Sequence, residues 1–273
     1  MISFPNGKIN IGLKIIRKRP DAYHDLETVF YPISLADILE FVPSTTLSFQ
    51  SYGQNIPGDH LDNICLSAYK LLKSDFSSLP ALSIHLYKNI PVGAGLGGGS
   101  SDAAFMVSML NEYFQLGIAE VNLSTYASKL GSDCAFFLRN NPCFASGRGE
   151  ILEPVEIDLS PYSLVLINPG IQISTGWAYT KIRPSGEPSD LIRLISLPID
   201  EWKGTINNDF EESVFRTYPL LGKIKQRLYE TGALYASMSG SGSALYGFFR
   251  KNSMPNEFEF TELASGIHPI FIP

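Results

Sequence analysis

The chain has 273 residues and a formal net charge of −6, a balance that argues against general nucleic-acid binding while leaving room for a local positive pocket. With 44% hydrophobic and 18% charged residues it can bury a sizeable core, enough for two modest domains or one large one, and it is not the composition of a disordered polymer. No apolar stretch is long enough to span a bilayer, residues 1–8 lack a leader's apolar run, and Cys65, Cys134 and Cys143 have neither metal-ligand spacing nor an even count, so the chain reads as a cytoplasmic protein with reduced thiols.

Residues 8–15 alternate strictly, with Ile9, Ile11, Leu13 and Ile15 on one face of a strand and Lys8, Asn10, Gly12 and Lys14 on the other. Taken alone, the second face reads as an ordinary solvated one. Residues 17–26 form a polar turn signalled by Pro20-Asp21. This turn sets Tyr23 beside His24, a pair suited to stacking on and hydrogen-bonding a flat ring, or to packing locally. Residues 27–31, 37–42 and 47–52 read as strands. Residues 63–73 read as a helix with Ile64, Ala68, Leu71 and Leu72 inward.

After the run 82–87 comes the stretch around which the chain is organised, residues 90–102. It holds five glycines, two serines and an acid. Glycine admits positive φ and brings backbone N–H groups close to a ligand, and a bare turn does not need five of them at about 0.5–1 kcal/mol each. The pattern that follows is helical, with Ala103, Met106, Val107, Leu110 and Phe114 on one side and Ser100, Ser101 or Asp102 as its expected cap. A glycine-rich loop running into a helix N-terminus is an anion site, because free N–H groups and the positive end of the dipole meet there. It is not a P-loop, since no Gly-Lys-Ser/Thr follows, and the G-x-G-x-x-G of Gly93, Gly95 and Gly98 lies too far along the chain for a first βαβ unit.

Residues 123–130 read as a further helix, with Gly131 as its C′ residue. Asp133 precedes an apolar run and alone reads as an N-cap. Residues 144–150 turn between short strands, and the texture changes near Glu153-Pro154. Residues 162–167 form a buried strand. Ser189 or Asp190 caps 191–195, a helical region begins at 207–211 and is interrupted at Pro219, and 220–230 form a helix closed at Gly232. Strands at 234–238 and 244–249 flank a second small-residue loop, Ser239-Gly240-Ser241-Gly242-Ser243. Two such loops strengthen the phosphate reading, because each adds backbone donors near a polyanion. The sequence gives no account of residues 252–273.

Three separated motifs, Lys8-Ile9-Asn10, residues 91–101 and Met238-Ser239-Gly240-Ser241-Gly242-Ser243, resemble in order those of the GHMP small-molecule kinases. The middle one is very close to that superfamily's P-x-x-x-G-L-G-S/G-S pattern. Arg19-Pro20-Asp21-Ala22-Tyr23-His24, residues 97–104 and Leu130-Gly131-Ser132-Asp133-Cys134 are similar to the branch whose alcohol substrate is a cytidine diphosphate-linked methylerythritol. The resemblance runs from Lys8 to about Phe249. It implies an α+β, two-domain fold, with an N-terminal domain like ribosomal protein S5 domain 2 (1–153) and a ferredoxin-like C-terminal domain (154–273).

The same resemblance implies a reaction: transfer of the ATP γ-phosphoryl to the 2-hydroxyl of the methylerythritol unit, giving the 2-phosphate and ADP, in the non-mevalonate route to isoprenoids. ATP, with Mg²⁺ carried by the nucleotide, falls to Pro91, Val92, Gly93, Ala94, Gly95, Leu96, Gly97, Gly98, Gly99, Ser100 and Ser101. The catalytic positions fall on Lys8 and Asp133, and the substrate positions on Asn10, Tyr23, His24, Thr175 and Tyr179. No protein ligand for the metal is legible. Ala22 stands where a glycine is usual, and Tyr179 where a phenylalanine is commoner. The rival readings are a mevalonate- or homoserine-type kinase of the same superfamily and a nucleotide-binding module without chemistry. The expected protein is a monomer or weak homodimer with small-molecule substrates and neither a nucleic-acid nor a membrane partner.

Overall fold

The computed structural model describes residues 1–256, 260 and 269–272. In chain order the strands are β1 (Ile2–Ser3), β2 (Asn6–Lys18), β3 (His24–Ala36), β4 (Ile38–Ser44), β5 (Ser48–Gly53), β6 (Ala81–Lys88), β7 (Cys143–Ser146), β8 (Ile151–Pro154), β9 (Tyr162–Ile167), β10 (Tyr235–Met238), β11 (Leu245–Arg250) and β12 (Pro269–Ile272). The helices are α1 (Ile64–Asp75), α2 (Gly98–Tyr113), α3 (Glu120–Leu130), α4 (Cys134–Arg139), α5 (Thr175–Lys181), α6 (Leu191–Ile195), α7 (Phe210–Thr217) and α8 (Pro219–Glu230). Helix and strand are mixed, as an α+β chain requires. The chain forms two compact units interleaved in sequence: Met1–Lys8, Pro32–Val92 and Gly97–Asn141 make one, and Ile9–Tyr31, Gly93–Leu96 and Pro142–Pro273 the other.

The first unit is built on a four-stranded sheet of order β1-β4-β6-β5, in which β6 pairs antiparallel with β4 and parallel with β5. Period-2 alternation sends Leu82, Ile84 and Leu86 of β6 to the core and leaves Tyr87 exposed. That core also takes Leu39 and Phe41 of β4, Cys65 and Tyr69 of α1, and Met106, Val107 and Leu110 of α2. Helix α1 is capped by Asn63, whose Oδ1 accepts from Cys65 N at 2.8 Å. Its buried stripe is Cys65, Leu66, Ala68, Tyr69 and Leu72, so it is turned relative to expectation: Ile64 and Leu71 are only partly buried. The small Cys65 and the amphipathic Tyr69, whose hydroxyl donates to Pro80 O, fill the core in their place.

Helix α2 corrects another expectation. Its N-cap is Gly97, in the left-handed region at φ 69°, and no side chain caps it. Ser101 and Asp102 lie buried inside the first turn, not at the cap. Gly131, expected as a left-handed C′ residue, is extended at φ 172°. Its lack of a side chain serves close packing instead, since a Cβ there would sit 3.3 Å from Cys134 Sγ.

The second unit holds the antiparallel sheet β10-β11-β9-β12 and most of the sheet β2-β3-β7-β8. Its core joins Leu13, Ile15 and Leu26 to Val165, Phe210, Leu221, Ile224, Leu228, Phe249 and Phe260. The segment Pro269–Ile272, without a reading from sequence, is an edge strand on β9.

Candidate active site

Strand β2 is buried on both faces, which overturns the solvated reading of its polar side. Lys8 is 4% exposed and Asn10 3%. Lys8 Nζ lies 3.5 Å from Asp133 Oδ2, with the Asp133 side chain 31% exposed. Burial pushes the Lys8 ammonium below the ordinary lysine range, and Asp133 offsets only part of that. Asp133 occupies the N-cap position of α4 but its side chain makes no capping bond; the carboxylate is turned to Lys8 instead.

Two devices hold this pair. The apolar run after Asp133 folds as α4 and buries Cys134, Ala135, Phe136 and Phe137, and the Phe137 ring packs where a Cβ on Gly97 would come within 2.9 Å of it and 3.2 Å of Lys8 Cε. Only glycine fits there, at positive φ and in that space. At the other end of α4, Asn140 is a left-handed C-cap at φ 53°. Its amide and that of Asn6 donate to each other, at 2.6 and 3.1 Å. Sequence reading missed this brace, although Asn140-Asn141-Pro142 after an apolar run is a helix-stop signal.

The glycine loop proper runs from Pro91, buried, to Ser101, buried. Gly93, Gly95 and Gly97 all have positive φ, at 70, 81 and 69°, while Ala94 and Leu96 between them are buried. The alternation anchors the loop by its side chains and leaves glycine where the backbone turns. From Gly97 onward the first turn of α2, with Gly98, Gly99 and Ser100, presents N–H groups that no intrahelical carbonyl can take.

In the second unit the Ser239–Ser243 loop braces the turn at Gly93–Leu96. Ser239 Oγ donates to Gly95 O at 2.8 Å and accepts from Asn10 N at 3.2 Å, and Ala244 N donates to Ala94 O at 3.1 Å. A Cβ on Gly95 would lie 2.1 Å from Ser239 O. The loop's own donors also serve the fold, with Ser239 N bonding Ala244 O and Gly242 N bonding Ser239 O, so its part differs from the simple donor array expected of it. Asn208, which sequence reading did not single out, is 3% exposed and donates to both Met238 O and Gly240 O at 2.8 Å.

The expected substrate residues lie in the same unit. Asn10 donates through Nδ2 to Thr28 Oγ1 at 3.0 Å. His24 stacks on Tyr179, ring centroids 4.8 Å apart and 21° between planes, and Tyr179 meets Phe210 edge-on at 5.0 Å. Burial, then the charge of Lys18, lowers the His24 pKa. Tyr23 is 56% exposed, and the Arg148 guanidinium sits 5.0 Å from its ring centroid, a contact sequence reading also missed. Ala22 takes the left-handed conformation at φ 66°, as a residue standing in a glycine's place would have to. Thr175 Oγ1 lies 3.1 Å from Ser241 Oγ.

A helix start with open N–H groups beside a buried lysine and a part-exposed aspartate is what the GHMP resemblance leads one to expect, and the chain is a small-molecule kinase of the GHMP class. Residues 63–141 match the model for GHMP kinases N terminal domain, and residues 197–259 that for GHMP kinases C terminal. The 4-diphosphocytidyl-2-C-methyl-D-erythritol kinase of Bacteroides thetaiotaomicron is 51% identical over 91% of this chain and 92% of its own. That of Cytophaga hutchinsonii is 44% identical over the full length of both. A crystal structure of 4-(cytidine 5'-diphospho)-2C-methyl-D-erythritol kinase superposes with a TM-score of 0.79 at 29% identity, covering 100% of this chain and 99% of that one. The mevalonate kinase of Methanococcus jannaschii, at TM-score 0.72 and 11% identity, shares the fold. The chain belongs to the 4-diphosphocytidyl-2-C-methyl-D-erythritol kinase family.

Proposed function

We propose that Lys8 and Asp133 carry the transfer of the ATP γ-phosphoryl to the 2-hydroxyl of 4-(cytidine 5'-diphospho)-2-C-methyl-D-erythritol, the kinase step of the non-mevalonate isoprenoid route. Asp133 orients the hydroxyl and takes its proton as the new P–O bond forms and the β–γ bridge breaks, releasing ADP. Lys8 stabilises the negative charge that gathers on the alkoxide and the transferring phosphoryl. The N–H groups at the start of α2 and along residues 91–101 hold the phosphates, and Mg²⁺ arrives with ATP as part of the substrate. Tyr23 and Tyr179 enclose the cytosine and His24 hydrogen-bonds it, while Asn10 and Thr175 contact the remainder of the substrate. The protein works in the cytoplasm as a monomer or weak homodimer.

The observation that carries this reading is the Lys8–Asp133 pair at 3.5 Å, with the lysine buried and the acid accessible. The test is ADP release from ATP with three alcohols: the cytidine diphosphate-linked methylerythritol, mevalonate and homoserine. Release with the first alone is expected. Preference for either of the others, or ATP binding without release on any of them, overturns the reading.

A further inference from the structure

Beneath the glycine loop lies a second cluster of charge that phosphoryl transfer does not use. Lys88 ends β6, Asp37 immediately precedes β4, and Asp102 stands in the first turns of α2; they are 3%, 0% and 2% exposed. Lys88 Nζ donates to Asp37 Oδ2 at 2.5 Å and to Asp102 Oδ2 at 2.7 Å. Two ionised carboxylates around one ammonium would leave a net negative charge shielded from solvent, which is costly, and such a site takes up a proton instead.

The two acids are not equivalent. Asp37 Oδ1 accepts from the N–H groups of Asn89 and Ile90, at 2.6 and 2.7 Å. Asp102 Oδ1 is buried with no hydrogen-bond partner among the described residues. Burial pushes the Asp102 carboxyl up to about 8, with Asp37 adding to the rise and Lys88 opposing it. The groups facing it are Lys88 from β6, Asp37 ahead of β4, and the Cys65 thiol from α1, itself pushed well up by burial and therefore neutral.

We infer that Asp37, Lys88 and Asp102 form a clasp, with a proton held on Asp102, that positions the glycine loop from both sides. Asp37 fixes the backbone at Asn89 and Ile90, where the chain leaves β6 for the loop. Asp102 fixes α2, where the loop ends. Lys88 joins them directly under the helix start, since a Cβ on Gly98 would lie 3.0 Å from its Nζ. With one proton aboard the clasp is neutral. Without it, an extra negative charge would sit behind N–H groups that receive phosphate. All three are positioning residues.

The test uses the full chain with Asp37→Asn, Asp102→Asn and the double variant, followed by thermal unfolding from pH 5 to 9 and by KM for each substrate. Each single variant folds, because one acid still accepts from Lys88 Nζ. The double variant leaves the ammonium alone, and its melting temperature falls by about 10 °C or more beyond the sum of the singles. Asp102 has a raised pKa in the folded chain, so its contribution to stability is full below the pKa of the unfolded chain and is lost as pH rises towards 8. The melting temperature of the parent therefore falls from pH 5 to pH 8 relative to that of Asp102→Asn. Asp37→Asn raises KM for ATP by about tenfold and leaves that for the alcohol within about twofold, because it loosens one end of the loop. Additive losses, parallel pH curves or equal shifts in both KM values overturn the inference. Should Asp37→Asn fail to fold, the Asp102→Asn pH curve decides alone. The loop-positioning arm rests on the proposed reaction. The melting arm does not, so a parent that releases no ADP is distinguishable from a clasp that does not exist.

Discussion

Lys8 and Lys88 are both lysines with almost no exposed surface, 4% and 3%, yet their surroundings push them in opposite directions. Burial lowers Lys8, and Asp133, 3.5 Å from its ammonium, is part-exposed. Burial acts on Lys88 too, but the enclosed Asp37 and Asp102 side chains, at 2.5 and 2.7 Å, overcome it and hold the group above the ordinary lysine range. The difference separates an ammonium that burial destabilises from one that its acids hold charged. A buried ammonium with a lowered pKa is costly to the fold and useful to a transition state. A saturated one belongs to the framework.

The sharpest way to break this comparison is to remove each ammonium. Lys8→Met should lower kcat by about 10²–10³-fold with no loss of melting temperature. Its depressed pKa means that the charged form opposes folding, and this opposition fades as pH rises through the folded value. Asp133→Ala, on the same pair, should cost about 10²–10⁴-fold in kcat while the protein stays folded. Near-native turnover in either variant would remove the pair from the chemistry. Lys88→Met should instead cost about 3–5 kcal/mol in denaturant unfolding; a variant as stable as the parent would erase the contrast.

Adjacent glycines refine it. A Cβ on Gly97 meets Phe137 and Lys8, and one on Gly98 meets Ile90 and Lys88. Gly97→Ala should therefore fall mainly on kcat and Gly98→Ala mainly on stability, each by about 1–3 kcal/mol, read from steady-state kinetics and melting side by side. The smallest effect lies away from both lysines. Tyr23→Ala should raise KM for the cytidyl substrate by an amount equivalent to about 1–3 kcal/mol, the worth of one stacked base, and leave KM for ATP nearly unchanged. Equal shifts in both would place Tyr23 elsewhere.

What is legible in the sequence is local. The alternation along β2, the positive-φ glycines of the loop and the breaks at Pro219 and Gly232 are written in neighbouring residues. The pairing of Lys8 with Asp133 came from resemblance, because no periodicity links positions so far apart. What escaped was long-range polar bonding: Asn6 with Asn140, Lys88 with Asp37, and Asn208 with the carbonyls of Met238 and Gly240. Each uses a residue type that alone reads as turn, surface or cap. The polar face of β2 was misjudged for a related reason. Alternation gives the side a residue points to, and not whether another layer covers it.

The interleaving of the two units has a consequence for how the protein is made. Leu13, Ile15 and Leu26 pack in one core with Phe249 and Phe260, and β9 receives β12 at its edge. On the ribosome the early strands must wait, apolar side uncovered, until nearly the whole message has been translated. A nascent chain in that condition is open to capture by chaperones, and a fragment comprising only the latter half would emerge with a hole where three aliphatic side chains belong.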